Sequence, residues 1–96
     1  MVEMIKNAVL EATGISFDEF VAPGKKREKY FARMIFAYQC MFLAKISHDE
    51  LSKIIHRHPS IVCRCKKNYR VEYKVNSAFR AKAKQVEEIL KNSISL

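Results

Sequence analysis

The sequence predicts an all-α chain: a single domain, residues 1–96, built as a compact bundle of about six helices that includes a helix-turn-helix. Three observations carry that expectation. With 49% hydrophobic residues but only two Gly and two Pro in 96 residues, the composition is that of an ordered chain with few breaks. Apolar residues recur at three- and four-residue spacing along most of the length, and the alternation that strands need is hard to place. Helix starts are also written twice in the same signature, an apolar residue followed by Ser-x-x-Glu.

Taken in order, Val2, Ile5, Val9 and Ala12 share one helical face between Met1 and Thr13, and Gly14 stands where a left-handed residue would end that helix. Ile15, Ser16, Glu19 and Phe20 form a hydrophobic staple and capping box that start a short helix, closed by Pro23-Gly24. A basic loop over residues 23–30 leads into the longest apolar run, Tyr30 to Ala44, with 13 apolar positions of 15. Phe31, Ile35, Tyr38 and Phe42 make one stripe of it. Met34, Phe36, Met41 and Leu43 widen the stripe almost all round, which predicts a helix at the centre of the core. The run includes Arg33 and falls short of the roughly 20 residues a membrane span needs, so no span is expected.

Ile46, Ser47, Glu50 and Leu51 repeat the staple and box, and a short helix carries Leu51, Ile54 and Ile55 inward before stopping at His56-Arg57-His58. Pro59, at a first helical position where its missing N–H costs nothing, starts the next helix. Stepping 100° per residue puts Val62, Cys65, Tyr69 and Tyr73 on one side of it and Ser60, Arg64, Lys67, Val71 and Lys74 on the other. Asn76 and Ser77 are cap candidates for a last amphipathic helix marked by Phe79, Ala83, Val86 and Leu90.

The formal charge is +8. Residues 25–33 hold five bases and one acid, residues 57–74 six bases and one acid, so these segments carry +4 and +5 and the remainder sums to −1. A surplus confined to two segments fits a polyanion footprint better than general solubility. The second segment makes a cationic rod about 24 Å long on the solvent side of its helix, a shape that suits a major groove. In the first, Lys25, Lys26, Arg27 and Lys29 oppose a helix dipole at the start of the apolar helix, and an anionic partner explains them.

Other function classes find little support. Asp49-Glu50 and Glu87-Glu88 are neighbours that diverge on a helix, and no nucleophile has a base at a useful spacing, so no enzyme is expected. His56, His58, Cys63 and Cys65 invite a zinc reading, but Cys63 and Cys65 point about 200° apart on a helix. No metal or other cofactor is expected, and a His at the mouth of a turn is more often a cap or a phosphate contact. Three cysteines, an odd number with no signal-peptide pattern, point to a reducing cytoplasm, with Cys40 and Cys65 as small core residues.

Two blocks resemble the C-terminal DNA-binding domain of the bacterial replication initiator DnaA. Arg27-Glu28-x-x-x-Ala32-Arg33-x-Ile35, within Gly24 to Tyr38, is similar to that family's basic loop and following helix. Ser47 to Cys65, where Ser-x-x-Glu-Leu leads into Arg57-His58-Pro59-Ser60-Ile61-Val62, is similar to its helix-turn-helix, which usually reads Gly-Gly-Arg-Asp-His-Thr-Thr-Val there. As an order of elements the resemblance extends over roughly residues 3 to 92.

It implies a Trp-repressor-like fold that binds double-stranded DNA near the nucleoid, in replication initiation or its regulation. Arg27 would read the minor groove, and Arg57, His58, Pro59 and Ser60 would meet phosphates and base edges. Together with the charge pattern this gives the expected contacts: Lys25, Lys26, Arg27 and Lys29 on backbone or minor groove, Arg57 and Lys67 on phosphates, His58, Ser60, Ile61 and Arg64 in the major groove. The run departs from the family's at His58, Pro59 and Ile61. Pro59 has neither a donor N–H nor a polar side chain and cannot copy a histidine's hydrogen bonds, whereas an exposed Ile61 can touch a thymine methyl. The family's ATPase motif, Gly-x-x-x-x-Gly-Lys-Ser/Thr, does not occur, so no nucleotide is expected. Three rival readings stand beside this one: a module whose basic face docks an acidic protein partner, a transcriptional regulator of a phage or mobile element, and non-selective RNA or single-strand binding, against which the aromatics spent on core stripes count.

Overall fold

The computed structural model describes residues 1–24 and 26–94. Six helices follow one another: α1 (Val2–Thr13), α2 (Phe17–Val21), α3 (Arg27–Phe42), α4 (His48–Ile54), α5 (Pro59–Val75) and α6 (Ser77–Ile94). No strand occurs among the described residues. The all-α bundle expected from the sequence is therefore the observed fold. No described helix is long and apolar enough to cross a membrane.

The helix ends follow local chemistry. Gly14 adopts the left-handed conformation (φ 75°) and donates its N–H to the Leu10 carbonyl at 2.8 Å, closing α1. Ser16 and Glu19 form the full reciprocal box on α2. At α4 only half of the expected box forms: the Glu50 N–H donates to the Ser47 hydroxyl at 3.2 Å, with no return bond from the Glu50 carboxylate. Asn76 caps α6 by accepting from the Phe79 N–H at 3.0 Å.

The centre of the molecule is α3, which packs against all five other helices. Six consecutive residues, Ala32 to Ala37, are buried, so this stretch has no solvent face. Each large apolar side chain buried there contributes about 1.5–3 kcal/mol. Phe17, Phe20 and Phe36 meet with ring centroids 5.3 to 5.4 Å apart and pin α2 to α3. Tyr38 stacks on Tyr69 at 3.9 Å, and Tyr69 meets Phe79 edge-on at 5.4 Å, which ties α3, α5 and α6 together.

Two expectations for α3 need correction. The helix begins at Arg27 rather than Tyr30, so Arg27 and Lys29 lie in its first turn and the basic loop is shorter than residues 23–30. Phe42, expected on the core stripe, is 58% exposed. The apolar period runs on to the helix end, yet of the last turn Gln39 and Cys40 are buried and only the Phe42 side chain is largely exposed.

Candidate nucleic-acid interface

Helix α5 turns Val62, Cys65 and Tyr69 into the core, and Ser60, Arg64, Lys67, Val71 and Lys74 lie exposed on the opposite side, as the 100° stepping requires. Lys66 and Arg70 are exposed beside them. Among the described residues, the one side-chain ion pair within 4 Å is Lys6–Glu3 on α1. The α5 cations are thus held by no carboxylate. Arg64–Lys67 and Lys67–Arg70 stand three apart, Lys66–Arg70 and Arg70–Lys74 four apart, and each like-charged pair costs the isolated helix about 0.2–0.5 kcal/mol.

The turn before α5 is organised by its own residues. His56 takes a left-handed conformation (φ 54°). The Arg57 N–H reaches back to the Ser52 carbonyl at 2.9 Å and the His56 N–H to Lys53 at 3.4 Å, a Schellman closure with histidine where glycine is usual. His58 is the N-cap of α5: its Nδ1 accepts from the Ser60 N–H at 3.1 Å and lies 2.9 Å from the Ser60 hydroxyl. Pro59 occupies the first helical position, as expected.

Three of the expected contact residues have partners within the fold. Arg57 is half-buried, and its guanidinium donates to the carbonyls of Ile55 (3.2 Å), His56 (3.1 Å) and Ala22 (3.4 Å). It braces the turn against the end of α2. Ile61 is half-buried against the core, which limits contact with a base methyl. His58 faces its own helix, so its bond to Ser60 competes with any base edge.

The basic arm sits beside α5 because two bonds bracket it. Ala22 at one end accepts from Arg57, and at the other the Asn68 amide donates to the Tyr30 hydroxyl at 2.6 Å. Between them Lys26 and Arg27 are exposed and Lys29 is half-buried. The Arg27 guanidinium lies over the Phe31 ring, 5.0 Å from its centroid. It lines a cleft of about 420 Å³ with Asn76, Ala78 and Lys82 at the start of α6. Lys25 lies outside the described residues.

Arg33, counted among the bases of the first segment, is only 7% exposed, and its Nε donates to the Phe20 carbonyl at 2.8 Å. Burial, and after it the neighbouring Arg57 guanidinium, pushes its pKa below the ordinary arginine value. One of the five bases therefore belongs to the fold. Cys63 is exposed and Cys65 buried, so the two do diverge, and no three metal-ligating side chains converge among the described residues. Sequence reasoning missed Asn68 and Tyr30, which are 38 positions apart and carry no local signal. It also missed Lys66 and Arg70 as surface neighbours of Phe42, although their place on the flank of α5 follows from the same stepping. Compared with known proteins, the chain matches no family model and no curated sequence.

Proposed function

We propose that this chain binds double-stranded DNA, with the exposed side of α5 in the major groove and the α2–α3 arm against the neighbouring backbone or minor groove. The observation that carries the reading is the row of exposed cations on α5, mutually repelling and with no carboxylate partner among the described residues, beside an arm anchored at both ends to the same helix-turn-helix. Neutral scaffolds do not need such a row, and a polyanion relieves it. Arg64, Lys67 and Lys74 would meet phosphates and base edges together with Ser60, and Lys26, Arg27 and Lys29 the flanking strand. The resemblance to the DnaA C-terminal domain supports the same docking, with a target sequence of its own because His58, Pro59 and Ile61 replace the family's residues.

Binding of a duplex pool by the whole chain tests this. With five to eight phosphates neutralised, log affinity should fall against log salt with a slope of about −4 to −7. Lys67→Ala should weaken all sequences alike and shallow that slope by about one unit, whereas Ser60→Ala should change the preference among sequences. A flat salt response removes the reading. Val71 and Val75, 55% and 74% exposed on or beside the cationic side, favour a second reading in which an acidic protein docks there. That reading gains if no duplex is enriched and Val71→Asp abolishes capture of an acidic partner.

A further inference from the structure

The last turn of α3 and the flank of α5 enclose a concavity of about 160 Å³ that borders the α5 cation row and whose aromatic rings the duplex reading does not use. Its lining is Tyr38, Met41, Phe42, Lys45, Lys66 and Arg70, two aromatic rings, three cations and no carboxylate. The Phe42 ring is 58% exposed and lies nearly parallel to Tyr38, with 5.9 Å between centroids and 12° between planes. Tyr38 in turn stacks on Tyr69, so the exposed ring ends a ladder rooted in the core. Lys45, left-handed at φ 56°, holds its ammonium 5.6 Å from the Phe42 centroid. That cation–π contact is weak at an exposed site and easily exchanged for a stronger partner.

An exposed ring backed by a rigid stack, with cations on its rim, matches what single-stranded nucleic acid needs: a π-face for a base and positive charge for the adjoining phosphates. We propose that this concavity binds an unpaired nucleobase, stacked on Phe42, with the flanking phosphates met by Lys45, Lys66 and Arg70. The chain then holds single-stranded nucleic acid at a place distinct from the outward side of α5. Charge selects this occupant over a second copy of the chain, since two copies meeting here would press cations against cations. The adjoining hollow contains Glu87, whose carboxylate already accepts from the Tyr69 hydroxyl at 3.2 Å. A strand therefore runs along the Lys66 and Arg70 side, away from that carboxylate.

Fluorescence anisotropy with labelled oligo-dT and oligo-U strands of about ten nucleotides, an abasic strand and a duplex control provides the test. Because the ring of Phe42 is largely outside the core, Phe42→Ala should fold normally. It is expected to weaken both single strands about tenfold, to the level at which the wild type binds the abasic strand, and to leave the duplex unaffected. Binding of only one of the two strand types upholds the site, and oligo-dU, which differs from oligo-U at the 2′ position alone, then assigns the sugar preference. The chain has no tryptophan, so Phe42→Trp introduces a single reporter whose emission should fall in step with saturation. The proposal is overturned if Phe42→Ala binds oligo-dT and oligo-U within about twofold of the wild type, or if the reporter's emission ignores bound strand. It is also overturned if Phe42→Ala instead converts a dimer to a monomer in sedimentation, which assigns the ring to contact between copies.

Discussion

Removing a guanidinium from water costs several kcal/mol, and at Arg33 one hydrogen bond to the Phe20 carbonyl offsets it while Nη2 has no partner. Replacing the group by an apolar side chain of similar length trades one lost bond of about 1 kcal/mol against that relief. Arg33→Met is therefore expected to change stability by less than about 2 kcal/mol in either direction, whereas Arg33→Ala, which adds a cavity, costs roughly 2–4 kcal/mol. Urea midpoints measure both. Duplex affinity should stay at the wild-type value in Arg33→Met, because this base faces the interior; a loss comparable to that of Lys67→Ala would return it to the footprint.

At the scale of elements, the Tyr30–Asn68 bond fixes the start of α3 to the flank of α5. Tyr30→Phe should lower stability by about 1 kcal/mol and loosen the arm, visible as a several-fold loss of duplex affinity. Unchanged stability and affinity together would show that the arm is held by something else. Much of the helix layout was readable beforehand because caps and apolar periods are local. Ser16, Gly14, Pro59 and Asn76 act as their types require, and Phe79, Ala83, Val86 and Leu90 are buried as spaced. What escaped notice depends on distant chain. No Gly marks the left-handed His56 and Lys45, and Phe42 keeps the apolar period although its side chain is largely exposed. The candidate interface was legible as a charge pattern, and a cap was one of the two readings for a His at the mouth of the turn, but the Arg57 bond to Ala22, 35 positions away, carries no local signal.

For the molecule as a whole, the core holds three groups in their protonated forms. Burial raises the Cys40 thiol from the ordinary 9.0 to about 12, and burial also raises Cys65. Tyr69 is raised by burial and then by the Glu87 carboxylate. Above the ordinary thiol and phenol values the unfolded chain has released protons that the folded chain retains. Stability from these groups is complete below that range and falls as pH climbs, by about 1.4 kcal/mol per pH unit for each group. The urea midpoint at about pH 10.5 should lie clearly below that at about pH 8, and Cys40→Ala should flatten part of the decline. Equal midpoints would contradict the burial.

That Lys6–Glu3 is the one side-chain ion pair among the described residues has a consequence for how such a chain responds to electrolyte. With almost no internal charge attraction to shield, added potassium chloride has little in the bundle to weaken, and it eases the crowding of like charges along α5. Ionic strength then acts as a lever on association while the bundle stays intact, so a partner can be released by brine from a protein that remains folded.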